Sequence, residues 1–271
     1  MKYIREYQVF EASVAAPQTL TAEQLNWLDK CVDGRWKLNP QTGFVDVVGD
    51  FECPYQNLQD FKGVRFGNVS KDFSCRDNDL TSLVGAPQTV GRGFFCHNNQ
   101  LTSLEGAPQT VGRSFNCNNN QLTTLVGAPQ TVGGSFDCSS NQLTTLVGAP
   151  QTVDRSFHCD NNQLTTLEGA PKSVGGAFNC EGNQLTTLEG APQSVGGSFY
   201  CYRNPVSEST LKAIFALMKK GKPYQQALEE HWPEMGDEDR VLMYKQMPDL
   251  SPEETRKYKA LSTYGNIKGY L

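Results

Sequence analysis

The sequence predicts a mainly β solenoid, in which short parallel strands stack along one axis, with a cap of different composition at each end. The motif F-x-C-x-x-N-x-L-T-[ST]-L-x-G-A-P-x-[ST]-V recurs every 21 residues, and a degenerate first copy begins at Phe51 and Cys53. A fixed period of this size is the signature of a solenoid, because one repeat buries its apolar side only against its neighbours. The chain before and after the repeats lacks the period. The remaining repeat cysteines are Cys75, Cys96, Cys117, Cys138, Cys159, Cys180 and Cys201.

Within each repeat, the residue types divide into core positions and corner positions. Phe115 and Cys117 stand two residues apart, so a short strand places both on one side, which we expect to face inward. The two leucines and the valine of the motif complete the same core. The Asn three residues after each Cys is expected to turn the chain and to bond the loop backbone of the next coil. The G-A-P segment bends the chain again. These asparagines are Asn78, Asn99, Asn120, Asn141, Asn162, Asn183 and Asn204.

The segment C-x-x-N-x-L-x-x-L, following an apolar strand residue, resembles the leucine-rich repeat, whose strand and turn read L-x-L-x-x-N-x-L-x-x-L. Phe and Cys stand where that family has Leu. The polar remainder has no helical stretch and is most similar to the compact leucine-rich repeats of bacterial effectors and bacteriophage proteins. The resemblance covers residues 51–205 and implies a binding surface along the strands. It does not cover either end of the chain.

Residues 1–50 are predicted to form an N-terminal cap that contains a helix and a hairpin. The stretch "LTAEQLNWLDKCVDG" is typical of a helix: Thr21 is a good N-cap, Gln24 closes a capping box, and Gly34 is expected to end the helix. The stretch "WKLNPQTGFVDVV" predicts a hairpin that turns around residues 39–43. We expect this region to cover the open end of the first coil, as the terminal repeats of solenoids must.

Residues 206–271 are predicted to be all-α. The stretch "SESTLKAIFALMKKG" is an amphipathic helix that ends at Gly221, and Ser251 with Glu254 marks a later helix start. Two interpretations are open: this region caps the far end of the solenoid, or it is a second binding module. The predicted domains are therefore 1–50, 51–205 and 206–271.

Composition and charge exclude several classes of function. The formal net charge of −5 gives no basic signature for nucleic acid. Membrane spans need about 18 or more apolar residues, and no segment approaches this length. The N-terminus "MKYIREYQVF" has no apolar core of a signal peptide. We therefore expect no membrane partner and a location in the cytoplasm of a bacterial or infected host cell.

The nine cysteines are interpreted as free thiols that fill the core. Eight of them, from Cys53 onward, occupy one repeated inward position, and a small apolar residue explains that position. The paired C-x-x-C spacing of zinc sites is absent from the sequence. Free thiols in such number indicate a reducing compartment.

No catalytic motif stands out, so neither an enzyme nor a cofactor or metal site is expected. His97 and His158 lie three repeats apart, and we expect both to be exposed on the strands. His158 near Asp160 resembles a base with its orienting carboxylate, but no nucleophile has a matching spacing, since Cys159 points inward. A G-K-[ST] phosphate loop is absent. Some bacterial effectors with similar repeats carry a ubiquitin-ligase domain with a catalytic Cys, but no Cys follows Cys201.

The outward strand positions change from coil to coil while the framework is almost copied, and we call these positions the variable face. This contrast suggests that contact with a protein partner, and not packing, determines which residues occupy these positions. Neutral drift of a solvated surface is the alternative. Exposed aromatic residues and Arg are the usual anchors of interfaces. The tyrosines are equally well explained as packing under the tail. The candidate partner-binding residues are Phe95, His97, Asn116, Asn118, Asp137, His158, Asp160, Tyr200, Tyr202 and Arg203.

Three further features carry weaker hypotheses. Arg92, Arg113 and Arg155 form a row that Gly134 interrupts; a charged rim for solubility is favoured over an anion site. A column of threonines in L-T-[ST]-L suggests ice binding, which is disfavoured because the column lies in a turn. A small-ligand pocket where the solenoid meets the C-terminal region is the main alternative function.

The favoured function is a non-catalytic protein-binding scaffold, encoded by a phage or bacterium, that binds a host protein. The sequence does not specify the partner or the oligomeric state.

Overall fold

A computed structural model describes residues 19–186, 188–201 and 203–205. The described part of the chain begins with one helix, α1 (Ala22–Cys31), and an antiparallel pair of strands, β1 (Val32–Leu38) and β2 (Val45–Glu52). Short parallel strands follow in pairs, one pair per coil. They are β3 (Phe66–Val69), β4 (Phe73–Ser74), β5 (Thr89–Val90), β6 (Phe94–Phe95), β7 (Thr110–Val111), β8 (Phe115–Asn116), β9 (Thr131–Val132), β10 (Phe136–Asp137), β11 (Thr152–Val153), β12 (Phe157–His158), β13 (Ser173–Val174), β14 (Phe178–Asn179), β15 (Ser194–Val195) and β16 (Phe199–Tyr200).

The strands form two parallel columns that share one N-terminal strand. Their order is β15-β13-β11-β9-β7-β5-β3-β2-β4-β6-β8-β10-β12-β14-β16. Strand β2 pairs with β3 through its first residues and with β4 through Phe51 and Glu52, so it belongs to both columns. Equivalent residues of successive coils are direct partners, as Phe94, Phe115 and Phe136 show. The predicted parallel solenoid is confirmed.

The helix start is confirmed, and the predicted helix stop is wrong. The Thr21 hydroxyl accepts a hydrogen bond from the Gln24 amide at 3.2 Å, and the Thr21 amide donates to Gln24 Oε1 at 2.8 Å. The helix ends at Cys31, three residues before Gly34, and Val32 is already extended. Gly34 instead lies inside β1, where it faces Gly49 of β2. A Cβ on Gly34 would lie 2.3 Å from the Val48 carbonyl oxygen, so the close approach of the two strand backbones requires glycine there.

The predicted hairpin is confirmed, and it closes the first coil. The Asn39 amide donates to the Phe44 carbonyl, and the Gly43 amide donates back to the Asn39 carbonyl, both at 2.8 Å. The helix packs Trp27 edge-on against Phe51, with ring centroids 5.4 Å apart. This places α1 over the end of the aromatic column, where the first coil would otherwise expose its core.

The core is a set of ladders that run along the solenoid axis. From Phe73 to Phe199 the strand phenylalanines stack with centroid separations of 5.2–5.6 Å. The cysteines of the motif, its two leucines and its valine are buried beside them in the central coils, as expected. Each ring therefore contacts two equivalents of itself, which explains why the same residue is required in every coil.

The buried asparagines form a ladder, but they point toward the preceding coil and not toward the next one. Asn120 Nδ2 donates to the Cys96 carbonyl of the preceding coil at 3.1 Å and to its own Cys117 carbonyl at 3.1 Å. Its Oδ1 accepts from the Leu101 amide at 2.9 Å. The same contacts recur in the other coils, for example at Asn162. The expected direction of these bonds was therefore wrong, while their buried role is confirmed.

The turn itself is made by the residue before each ladder asparagine. That residue has a left-handed backbone, with φ between 50° and 56° in the non-glycine cases. Asn and Asp tolerate this conformation better than most residues, which explains their frequency there. The glycine of each G-A-P segment also has a positive φ, as expected of a turn. The left-handed non-glycine residues are Asp77, Asn98, Asn119, Ser140, Asn161 and Arg203.

The prediction of an all-α region over 206–271 lies outside the described residues, as does the part of 1–50 that precedes residue 19. Within the described ranges, no helix is long and apolar enough to cross a membrane.

Candidate functional site

The variable face is an unbroken row across the second column of strands. Phe95 is the direct partner of Asn116, Asn116 of Asp137, and Asp137 of His158. The row continues through Asn179 to Tyr200. Because neighbouring strands lie about 4.8 Å apart, the five steps from Phe95 to Tyr200 span about 24 Å. The solenoid thus brings onto one surface residues that lie more than 100 positions apart in the sequence.

The two histidines on this face are half-buried, not exposed as the sequence predicted. Burial lowers the pKa of His97, although the nearby Asp77 carboxylate opposes this effect. Its Nδ1 atom is buried and has no hydrogen-bond partner among the described residues. Its ring lies edge-on to Phe95, with centroids 6.4 Å apart. The prediction of exposure failed because strands that stack about 4.8 Å apart leave an outward side chain only partly accessible between its equivalents in the neighbouring coils.

Several polar side chains of the variable face are held by hydrogen bonds to their own strand ends. Asn116 Oδ1 accepts from the Asn118 amide at 3.0 Å. Asp137 Oδ1 accepts from the amide and the hydroxyl of Ser139, at 3.0 Å and 2.7 Å. Asn118 Nδ2 also reaches Asp137 Oδ2 at 3.3 Å. These residues are therefore fixed in one arrangement, which the sequence alone did not indicate.

The centre of the face concentrates negative charge. Burial is the main cause that raises the pKa of Asp160, and the Asp137 carboxylate adds to it. The His158 ring acts in the opposite direction. No side-chain hydrogen bond joins His158 to Asp160, whose Oδ2 instead accepts from Asn161 Nδ2 at 2.9 Å. The predicted resemblance to a base and its orienting carboxylate therefore has no hydrogen bond to support it.

At the C-terminal end of the face, Tyr200 is half-buried and Arg203 is exposed. Arg203 Nη1 forms an ion pair with Glu181 Oε1 of the preceding coil at 3.1 Å. Tyr202 lies outside the described residues. The structure thus gives Arg203 a local partner, whereas the sequence suggested an anchor for a protein partner.

A cleft of about 550 Å³ opens beside the variable face, and we call it the arginine cleft. Arg113 and Arg155 line it from two coils that are separated by one coil. In the intervening coil the equivalent position is Gly134, which adds no side chain. The other lining residues are Asp72, Gly93, Phe95, Gly112, Ser114 and Gly133.

The Phe95 ring forms one wall of this cleft. A Cβ on Gly93 would lie 2.5 Å from Phe95 Cζ, so the ring folds back into the space that glycine leaves. Phe95 therefore belongs to the cleft as well as to the variable face. The sequence analysis considered the arginines and the phenylalanine separately and did not predict this cleft. The signal for it in the sequence was Gly134, which interrupts the arginine row.

Within the described ranges, no group of three or more histidine, cysteine or carboxylate side chains is placed to hold a metal ion. Burial raises the pKa of the thiols in the cysteine column, which contributes no ligand or nucleophile to either surface. The described side chains of the two surfaces offer hydrogen-bonding groups, charges and aromatic rings for contact with a ligand.

Comparisons of the chain with protein-family models, with curated proteins and with solved structures gave no match.

Proposed function

We propose that the protein is a non-catalytic scaffold that binds a protein partner on its variable face. The observation that carries the proposal is the contrast between two kinds of position in the same strands. Inward positions repeat almost unchanged because each packs on its own equivalent, while the outward row differs at every step. Solenoids present such extended surfaces to partners.

The preset geometry of the face supports this function. Binding is weakened when side chains must be ordered, at roughly 0.5–1.5 kcal/mol for each flexible side chain. Asn116, Asn118 and Asp137 are already held by hydrogen bonds to the strand ends. Aromatic residues stand near one end of the row, at Phe95, and in its last described strand, at Tyr200, and aromatic side chains are frequent anchors of interfaces. A partner would therefore meet a polar centre between two aromatic contacts.

The finer proposal is that the repeats are of the short leucine-rich type found in bacterial effectors and bacteriophage proteins. It rests on the spacing C-x-x-N-x-L-x-x-L and on the lack of a helical segment between the coils. In that setting the partner is a host protein whose activity the scaffold blocks. The near-identical repeats indicate recent duplication. Recent duplication is expected of a protein that evolves rapidly in a conflict between a host and a phage or pathogen, and this supports the proposed role.

Affinity capture from a lysate of the native host tests the proposal. We compare the unchanged chain with a variant that carries Phe95→Ala, His158→Ala and Tyr200→Ala. The control carries Thr110→Ala, Thr131→Ala and Thr152→Ala, which removes three exposed side chains from the other strand column. Circular dichroism checks that both variants fold.

We expect a protein that the unchanged chain and the threonine variant retain and that the face variant loses. Capture of the same proteins by all three chains would contradict the proposal, since the variable face would then make no difference.

A further inference from the structure

The arginine cleft presents two positive charges that the described residues leave without an acidic partner. Neither Arg113 nor Arg155 has a carboxylate oxygen within 4.0 Å in the described part of the chain. The ion pairs that do occur there involve other cations, such as Lys71 with Asp50. In a chain of net charge −5, two unpaired guanidinium groups on one cleft form a local site for an anion.

The spacing of the two arginines suits one anion between them. Their coils are two steps apart, which places their backbones about 9.6 Å from each other at about 4.8 Å per step. Gly134 occupies the step between them and leaves that space free of side-chain atoms. The planar guanidinium group of Arg matches the oxygen pairs of a phosphate group, so one guanidinium group on each side of Gly134 is suited to bind the same phosphate.

The Phe95 wall adds a second recognition element at the N-terminal side of the cleft. The ring is half-buried and rests on Gly93, so its orientation is set by packing. A planar ring of a ligand gains binding free energy by stacking on such an aromatic side chain. Gly112 and Gly133 also line the cleft. A Cβ on Gly112 would lie 2.2 Å from the Gly91 carbonyl oxygen, and a Cβ on Gly133 would lie 2.5 Å from the Gly112 carbonyl oxygen, so the close packing of the coils requires glycine at both positions.

The acidic residues around the cleft define where an anion lies. Asp72 is on the Phe95 side, and its Oδ1 accepts a hydrogen bond from the Gly93 amide at 2.6 Å. Asp154 is exposed and precedes Arg155 in the chain, but it does not line the cleft. The position between Arg113 and Arg155, over Gly134, is therefore the favoured place for a phosphate, and the ring side lies toward Phe95.

We propose that the arginine cleft binds a nucleotide, with its phosphate between Arg113 and Arg155 and its base against Phe95. The cleft volume of about 550 Å³ lies within the range of roughly 300–1,000 Å³ that is usual for small-molecule sites. Phe95 belongs to both surfaces, but neither arginine belongs to the variable face, so the phosphate part of this inference does not depend on the proposed protein partner.

Isothermal titration calorimetry on the full chain tests it with AMP, GMP, CMP, UMP and inorganic phosphate as probes. Arg113→Gln and Arg155→Gln each remove one guanidinium from the cleft. Arg92→Gln is the matched control, because it removes the same charge from the same row but does not line the cleft. Phe95→Leu keeps an apolar side chain and removes the planar ring.

At least one of the four nucleotides is expected to bind more tightly than inorganic phosphate. Arg113→Gln and Arg155→Gln should each weaken that binding about tenfold or more, since hydrogen bonds to charged groups are strong. Arg92→Gln should change it less than about twofold. Phe95→Leu should weaken nucleotide binding and leave phosphate binding as it is.

Three results would overturn the proposal: no nucleotide binding below about 1 mM, equal affinity for phosphate and every nucleotide, or the same loss in Arg92→Gln as in the two cleft variants. Because no protein partner enters this experiment, its failure leaves the variable-face proposal standing, and failure of the capture experiment leaves the nucleotide site standing.

Discussion

The replacement Asn120→Ala tests the buried asparagine ladder, on which the stacking of the coils depends. Asn120 Nδ2 donates to the carbonyls of Cys96, Cys117 and Asn118, and its Oδ1 accepts from the Leu101 amide. The alanine variant removes all four bonds at once. Their separate consequences differ, because some of the partner groups have a second hydrogen bond.

The carbonyl groups keep a donor in the variant. Cys96 still accepts from Asn99 Nδ2 at 3.1 Å, and Cys117 still accepts from Asn141 Nδ2 at 3.1 Å. The Leu101 amide, in a residue that is fully buried, loses the acceptor that the described structure gives it. A buried donor without a partner costs about 1–3 kcal/mol. We therefore expect the free energy of unfolding to fall by about 1–3 kcal/mol.

Urea denaturation followed by circular dichroism measures this difference, with Gln121→Ala as the matched control. Gln121 is the next residue, is exposed and makes no side-chain hydrogen bond, so its replacement should change stability by less than about 0.5 kcal/mol. Equal free energies of unfolding for the two variants would refute the reasoning. The buried Asn120 side chain would then contribute no more to stability than the exposed side chain of Gln121.

Further predictions concern other positions. Ser140→Gly should raise the free energy of unfolding by about 0.5–1 kcal/mol in the same urea assay, because Ser140 has a left-handed φ of 53° that glycine adopts without strain. Asn119→Gly should gain less, because it also loses the hydrogen bond from Asn119 Nδ2 to Asn98 Oδ1. The column of buried thiols from Cys53 to Cys180 should stay unreactive to a disulfide reagent at pH 8 until the chain is denatured, because burial raises each pKa and the thiolate is the reactive form; reaction at the rate of a free thiol would contradict this. Asp160→Asn should raise the melting temperature at pH 7, and the gain should shrink as the pH falls toward 4. Its folded pKa is raised above the unfolded value of 3.8, so the destabilising charge is fully present at high pH and is lost on protonation; a gain that stays constant with pH would contradict this.

The framework of the fold could be predicted because one rule operates in every coil. A strand places Phe115 and Cys117 on one side, and a constant period brings each onto its equivalent. The capping box at Thr21 and Gln24 is a local signal of the same kind, and the structure confirms it. The end of α1 could not be predicted from a local signal. It depends on the pairing of β1 with β2, in which Gly34 lies opposite Gly49, 15 positions later in the chain.

The sites were harder to predict because side-chain contacts between coils decide them. The period places Asn116 and Asp137 on the variable face, but it does not show that their side chains accept hydrogen bonds from their own strand ends. One wall of the arginine cleft depends on the direction of the Phe95 ring, which occupies the space that the missing side chain of Gly93 leaves. No local pattern in the sequence states that direction.

The most direct test of the variable face is photo-crosslinking in native-host lysate from two positions of the same coil. A photoreactive residue replaces His158 on the variable face in one chain and Thr152 on the other strand column in a second chain. We expect position 158 to crosslink one discrete protein and position 152 to crosslink none. Identical crosslinks from both positions, or none from position 158, would contradict the claim that the variable face holds a partner.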